Sequence, residues 1–219
     1  MSLDESILKE LNEINEETEK VSAQIEAYTR KLMTPVWNKR REVVKKIPNF
    51  WTHAIGNSAM FGAEPSENDV DALENLTDFH VEYDENRPNY RKVTATFKKN
   101  DTFKNETLTK EFEIDQEDGN SGKVLSKSTI DYHSGKAPNA KKRKAGEEED
   151  DDFTASFLQW FEDDSIIPGI MLSEEIFPAA VESYQNNEDE DEDADEIELG
   201  SEDEDEDEEE ENPKKKQKK

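Results

Sequence analysis

The sequence predicts an α+β protein in which a long amino-terminal dimerisation helix precedes a four-stranded antiparallel sheet backed by helices. Apolar residues recur every three or four positions near the amino terminus, and further along they alternate in four short runs. A strongly acidic stretch closes the chain and has almost nothing to bury, so we expect a disordered tail there. We therefore divide the chain into a helix (residues 1–48), an α/β domain (49–186, with a disordered insertion at about 137–152) and the tail (187–219).

The amino-terminal apolar residues are spaced by alternating steps of four and three. This narrow repeat, flanked by charged residues, is typical of a coiled coil. A helix packed on its own domain would show a wider apolar face. We therefore expect the helix to pair with a second copy and form a homodimer. The residues of this helix seam are Ile7, Leu11, Ile14, Thr18, Val21, Ile25, Tyr28 and Leu32.

Pro35 interrupts the region that follows the helix seam, and an interior proline usually kinks or ends a helix. Val36, Val43 and Ile47 could nevertheless continue an apolar face as far as Pro48. A helix reaching Ile47 would be about 60 Å long, at about 1.5 Å per residue. The α/β domain expected at residues 49–186 is too small to bury both sides of so long a helix, which again favours dimerisation.

The sequence after Pro48 predicts short core helices, another helical stretch at residues 69–76, and then strands. Turn-prone clusters separate the alternating runs, which favours an antiparallel meander with one apolar face. Its strands are expected around Phe79, Val81 and Tyr83; Val93, Ala95 and Phe97; Leu108, Phe112 and Ile114; and Ile130 and Tyr132. The helices expected to cover that face contain Phe153, Phe157, Leu158, Trp160, Phe161, Ile176, Phe177, Val181 and Tyr184.

The charge balance indicates the kind of partner. The chain has 219 residues and a formal net charge of −29, and residues 188–211 are acidic at 19 of 24 positions. Such a surface repels DNA, so nucleic acid is expected only as an indirect or weak partner, and a strongly basic protein is the natural counterpart. No apolar run approaches the roughly 20 residues that span a bilayer, and no signal peptide opens the chain, so we expect a soluble intracellular protein without a membrane partner.

Several motifs resemble the nucleosome assembly protein family, and one resembles its SET, or template-activating factor, branch. The run from Leu32 to Arg41 (LMTPVWNKRR) is followed by IPNFW at 47–51, the SET-like motif, and by LTKEF at 108–112 and SFLQWF at 156–161. The resemblance covers nearly the whole chain in order. It implies an antiparallel helix pair that keeps Pro35 within the helix, an α/β "earmuff" on each subunit, and a histone chaperone that binds core histones and promotes nucleosome assembly and disassembly.

Within that resemblance, the carboxylates near strand ends and helix ends are the expected histone contacts. Carboxylates attract the lysine and arginine side chains that histones use to bind DNA. The candidates are Asp115, Glu117, Asp118, Asp131, Glu162, Asp163, Asp164, Glu188, Asp189 and Glu190.

Two basic runs, at 141–144 and 214–216, flank the acidic carboxy-terminal part of the chain. Basic runs in exposed segments suit importin recognition, so we expect nuclear import, with shuttling to the cytoplasm left open. The alternative interpretation is charge balance within acidic surroundings. The import candidates are Lys141, Lys142, Arg143, Lys144, Lys214, Lys215 and Lys216.

An enzyme is not expected. His53, His80 and His133 have no companions at ligand spacing, and the chain has neither a phosphate-binding glycine loop nor a cysteine. No cofactor or metal is therefore expected. The alternative function, permitted by the SET-branch resemblance, is an interaction protein that inhibits a phosphatase or a histone acetyltransferase by docking or by masking its substrate.

Overall fold

A computed structural model describes residues 4–115, 119–138 and 154–185. Helix α1 (Glu5–Val44) is 40 residues long and is capped by Asp4, whose side chain accepts a hydrogen bond from the Ser6 N–H. At about 1.5 Å per residue it measures about 60 Å. Pro35 lies inside the helix, as the family resemblance implied. None of the helices in the described ranges combines the length and hydropathy needed to cross a bilayer.

Helix α1 packs on the rest of the protein through its carboxy-terminal half. Trp37 and Val44 are buried, and the Trp37 ring lies 5.4 Å from that of Tyr83 and 5.5 Å from that of Phe177. Arg41 forms a salt bridge with the buried Asp78 of the sheet. Residues 4–26 are exposed on every side, so the amino-terminal half projects beyond the compact part of the molecule, here called the body.

Three short helices lead from α1 into the sheet. They are α2 (Phe50–Gly56), α3 (Ala59–Gly62) and α4 (Glu67–Glu74). Ser66 and Asp69 form a capping box at the start of α4. The buried Asp69 carboxylate also accepts hydrogen bonds from the Ser156 hydroxyl (2.7 Å) and the Leu158 N–H (2.9 Å). One carboxylate thereby holds α4 against the carboxy-terminal segment.

The four strands form an antiparallel sheet in the order β1-β2-β3-β4. Their bounds are β1 (Leu76–Asp84), β2 (Arg87–Phe97), β3 (Thr107–Ile114) and β4 (Gly122–Lys127). Helices α5 (Phe157–Trp160) and α6 (Ile167–Ile170), a π-helical turn (Met171–Ile176) and helical residues 180–185 follow. The buried residues on the inner face of the sheet include Phe79, Val81, Val93, Ala95, Leu108 and Phe112.

The position predicted for the fourth strand is wrong, although the number of strands is right. The strand was expected around Ile130 and Tyr132, but β4 spans Gly122–Lys127, and Tyr132 makes only an isolated bridge to Phe103. Strand β4 lies at the edge of the sheet, and five of its six residues are exposed. An edge strand of which only Val124 packs on the core has too little apolar alternation to reveal it.

The prediction that Val181 helps to cover the sheet is also wrong. Val181 is 42% exposed, whereas Ala180 is buried and the Tyr184 ring stacks on Phe50 at 5.0 Å. Residues four apart share one face of a helix, so Ala180 and Tyr184 face the body and Val181 faces solvent. Phe153 lies outside the described residues.

Candidate interaction surfaces

The helix seam forms a continuous apolar stripe without a partner in the single chain. Its large apolar members are between 45% and 63% exposed, with Leu11 the lowest and Tyr28 the highest. The stripe continues beyond Pro35 through Val36 (49% exposed) and Val43 (58%). Trp37 and Val44 lie on a different face of the same helix and are buried against the body. Since a long exposed apolar stripe marks an interaction surface, this second apolar face of α1 is a candidate contact surface.

The charges of α1 are divided between its two halves. Within the helix, residues 5–26 contain seven acidic and two basic side chains, whereas residues 27–44 contain five basic and one acidic. Two helices in parallel would place like charges together along their whole length. An antiparallel pair would instead lay the acidic half of each helix along the basic half of the other, which Coulomb attraction favours.

Four of the predicted histone contacts belong to one region at the β3–β4 side of the sheet. We call Asp131, Glu162, Asp163 and Asp164 the carboxylate corner. Glu162 accepts a hydrogen bond from the Ile130 N–H (3.3 Å). Because Ile130 directly precedes Asp131 in the sequence, this bond brings Glu162 close to Asp131. The Asp131 carboxylate accepts from Lys104 Nζ at 2.9 Å and is exposed. Its predicted outward orientation is therefore right, although it follows β4 rather than lying in a strand.

The other two carboxylates of the corner pair with lysines of neighbouring strands. Asp163 accepts from Lys110 Nζ at 3.1 Å, and Asp164 accepts from Lys127 Nζ at 2.7 Å. Lys110 and Lys127 face each other in the β3–β4 register. The Lys127 hydrogen bond holds the pKa of Asp164 below its usual value. Three of the four corner carboxylates are thus matched by a lysine of the same chain.

Lys110 is the residue of this region that sequence reasoning missed. It lies on the inner face of β3 and is fully buried. Its ammonium donates to the Trp160 carbonyl (2.6 Å), the Ser165 carbonyl (2.8 Å) and Asp163, and it lies 4.6 Å from the centre of the Trp160 ring. Burial lowers the pKa of Lys110, and the Asp163 charge opposes that effect. The only signal in the sequence was a lysine at an inward position of an alternating strand.

Other exposed carboxylates, on and before α4, were also not predicted. Glu67 and Glu74 are seven residues apart on one helix and therefore share a face, and Glu64 precedes them. All three are exposed, and none forms a salt bridge within the part of the chain that the structure describes.

Of the remaining predicted site residues, the structure describes only one. Asp115 follows β3 and is exposed, with its N–H bonded to the Ser121 carbonyl at 2.8 Å. Outside the described residues lie Glu117, Asp118, Glu188, Asp189, Glu190 and all seven import candidates, Lys141–Lys144 and Lys214–Lys216. Among residues 4–115, 119–138 and 154–185, no three potential ligands cluster as a metal site would require.

Comparison with known proteins decides the family. The model of the family described as nucleosome assembly protein (NAP) matches residues 4–144. The chain belongs to the nucleosome assembly protein family. The human protein SETSIP is 30% identical over 190 residues, which cover 82% of this chain and 63% of that protein. The protein SET of Drosophila melanogaster is 31% identical over 105 residues, or 48% of this chain and 39% of that protein. The chain thus spans less than two thirds of the length of these two relatives.

Solved structures confirm the α+β fold of this family member. The crystal structure of Ccp1 superposes with a TM-score of 0.65 at 24% identity, covering 83% of this chain and 95% of that chain. The crystal structure of the Vps75 histone chaperone gives a TM-score of 0.60 at 21% identity, covering 86% of this chain and 100% of that chain. The predicted long helix and four-stranded antiparallel sheet are therefore confirmed.

Proposed function

We propose that this protein is a histone chaperone that binds core histones and promotes nucleosome assembly and disassembly. The match of a nucleosome assembly protein family model to residues 4–144, on a chain with a net charge of −29, carries the proposal. Histones are strongly basic, so a chain of this charge attracts them and repels DNA. In this proposal the protein acts by binding histones and not by catalysing a reaction.

The proposed mechanism is competition between two polyanions for one basic protein. The acidic surfaces of the chaperone cover the DNA-binding faces of the histone and prevent non-specific aggregation with DNA. The histone passes to DNA where DNA binds it better. Because such association releases counterions, its affinity falls as salt rises. DNA is therefore a competitor and only an indirect partner.

We propose that the functional unit is an antiparallel homodimer joined through the helix seam. The exposed apolar stripe and the opposite charges of the two halves of α1 support this arrangement. A spin label at Asn12→Cys tests it, since the natural chain has no cysteine. In an antiparallel pair the two labels lie more than about 20 Å apart, given a rise of about 1.5 Å per residue. A parallel pair would hold them side by side, and a short distance measured by electron paramagnetic resonance would contradict the proposal.

The experiment that tests histone binding compares the full chain with a chain ending at Gln185. Core-histone dimers and tetramers are titrated into both proteins at two salt concentrations. We expect nanomolar binding by the shortened chain that survives moderate salt, because the body and helix provide a shaped acidic surface. Binding that disappears with the tail or with salt would reduce the protein to a generic polyanion. Inhibition of a phosphatase or an acetyltransferase by docking would then become the better explanation.

A matched pair of variants tests which carboxylates of the body contact histones. One variant reverses the charge of Asp131 and Asp164, the exposed members of the carboxylate corner, and the other reverses Glu67 and Glu74 of α4. Each changes the net charge equally at exposed positions. We expect the first variant to lose more affinity. Equal losses would indicate that only total charge matters, and unchanged affinity in the first would remove the corner from the binding surface.

We also propose a nuclear location, with importin as the carrier. The runs Lys141–Lys144 and Lys214–Lys216 support it, because short basic runs suit importin recognition. A fluorescent reporter fused to residues 136–219 should accumulate in the nucleus. A reporter that stays in the cytosol would contradict this proposal without affecting the one on histone binding.

A further inference from the structure

The two most exposed carboxylates of the corner are each occupied by a lysine of the same chain. The Asp164 side chain is 85% exposed and lies 2.7 Å from Lys127 Nζ. The Asp131 side chain is 63% exposed and lies 2.9 Å from Lys104 Nζ. Both carboxylates can therefore be reached from solvent, and in the free protein each already binds the kind of cation that a histone would offer.

The two sides of the Lys127–Asp164 pair differ in how firmly they are held. The loop that contains Asp164 is fixed by the buried Lys110, which bonds to the Trp160 and Ser165 carbonyls on either side of it. Asp163 also accepts a hydrogen bond from the Ser165 N–H at 3.0 Å, which closes the loop on itself. Lys127 is at the end of the edge strand β4, its side chain is 35% exposed on a flexible stem, and within the described residues its ammonium bonds only to Asp164. Asp164 is thus the fixed member of the pair and Lys127 the one that can move.

We propose that Lys127 is an internal competitor that occupies Asp164 and is displaced when a basic histone side chain binds there. The inference rests on the proposed histone binding and adds a regulatory element to it. The Lys127 ammonium shows that Asp164 accepts an ammonium group in this geometry. A histone lysine or arginine must replace it, so the corner binds more weakly than its number of carboxylates suggests.

The size of the effect follows from the exposure of the pair. Ion pairs at protein surfaces contribute little, so removing the competitor should tighten histone binding only about two- to fivefold. Loss of a positive charge anywhere on an acidic protein would also favour a basic partner. The test must therefore separate the specific effect from the general one.

Lys123 provides the matched control. It lies on the same strand, is exposed like Lys127, and forms no ion pair within the described part of the chain. Lys127→Met and Lys123→Met change the net charge equally, but only the first releases Asp164. In titrations of the full-length protein with core-histone tetramers and dimers, we expect Lys127→Met to bind about two- to fivefold more tightly than Lys123→Met. Equal affinities of the two variants would overturn the proposal.

A double-mutant cycle with Asp164→Asn gives a second, independent readout. Once the carboxylate is gone there is nothing left to release, so Lys127→Met should no longer gain over Lys123→Met in the Asp164→Asn background. A gain that persists there would assign the effect to something other than Asp164 and overturn the proposal. Failure of the wild-type protein to bind histones would overturn the proposed function as well, whereas the other contrary results leave that function intact.

Discussion

At the scale of single residues, Lys110 shows how a charged side chain can be buried within a hydrophobic core. Its ammonium has three hydrogen-bond acceptors and a tryptophan ring around it, so none of its donors lacks a partner. A buried cation is tolerated only under such conditions, because transfer from water is otherwise too costly. The same contacts draw Asp163 inward, and this leaves Asp164 as the outward member of an acidic run that looks uniform in the sequence.

Removal of the Lys110 charge should destabilise the body. Lys110→Met removes one donor each from the Trp160 carbonyl, the Ser165 carbonyl and the Asp163 carboxylate, and leaves that carboxylate without its counter-ion. Losing one member of a buried ion pair costs about 3 kcal/mol, which is an upper value here because Asp163 is partly exposed. Urea unfolding followed by tryptophan fluorescence measures this loss. In the double variant Lys110→Met/Asp163→Asn the unpaired charge is removed as well, so part of the stability should return. A single variant as stable as the wild type would show that the buried ammonium contributes nothing.

His80 should make stability depend on pH. Burial lowers its pKa, with Arg41 and Arg40 acting in the same direction and Glu82 and Asp78 opposing them. Because the unfolded chain then binds a proton more readily than the folded one, the free energy of unfolding should decrease as the pH falls below about 6.5, the ordinary histidine value. The pH dependence of the denaturation midpoint between about pH 7.5 and 5.5 should be weaker in His80→Gln. Identical dependence in both proteins would exclude His80 as its source.

At the scale of secondary-structure elements, α1 has two apolar faces, one packed on the body and one exposed. Trp37 and Val44 fix it to the body, whereas the helix seam and its continuation at Val36 and Val43 remain exposed. The narrow repeat was visible in the sequence because a coiled-coil seam imposes its own period on the chain. The body-facing residues Met33, Trp37 and Val44 lie four and seven positions apart, which fits the same repeat, so spacing alone does not distinguish the two faces and only the structure separates them.

A charge in the centre of the helix seam should prevent dimerisation. Ile25 is 62% exposed in the single chain, so Ile25→Asp would bury an unpaired carboxylate only in the dimer. Analytical ultracentrifugation should find a dimer for the wild type and a monomer for this variant. Val181→Asp is the control, because Val181 is also exposed but lies outside α1. A dimeric Ile25→Asp protein would place the contact elsewhere.

The strands show where prediction from the sequence succeeds. The first three were predictable because each buries one face, which enforces alternation at Phe79 and Val81, Val93 and Ala95, and Leu108 and Phe112. Strand β4 was missed because its exposure removes that constraint. The pairing of the corner carboxylates with lysines could not be predicted for a different reason. Lys110 is 53 residues from Asp163 and Lys127 is 37 residues from Asp164, and only the fold brings the partners together.

At the scale of the whole molecule, charge is distributed unevenly. The acidic stretch at 188–211, the acidic and basic halves of α1 and the nearly balanced carboxylate corner coexist in one chain of net charge −29. At physiological salt, charges act over only about 8 Å, so each region attracts or repels a charged partner independently of the others. Net charge therefore identifies the class of partner, whereas local pairing decides which carboxylates are available to it.

Helix α4 holds two distant parts of the chain at neighbouring residues. The Asn68 side chain donates to the Lys136 carbonyl at 2.9 Å, and Asp69 accepts from the Ser156 hydroxyl. The described residues on the two sides of 139–153 are therefore held at neighbouring positions of α4. Lengthening a chain segment between fixed ends costs only about 0.6 kcal/mol per doubling. A fluorescent protein inserted between Gly146 and Glu147 should therefore leave the fold intact and provide a fluorescent label close to α4.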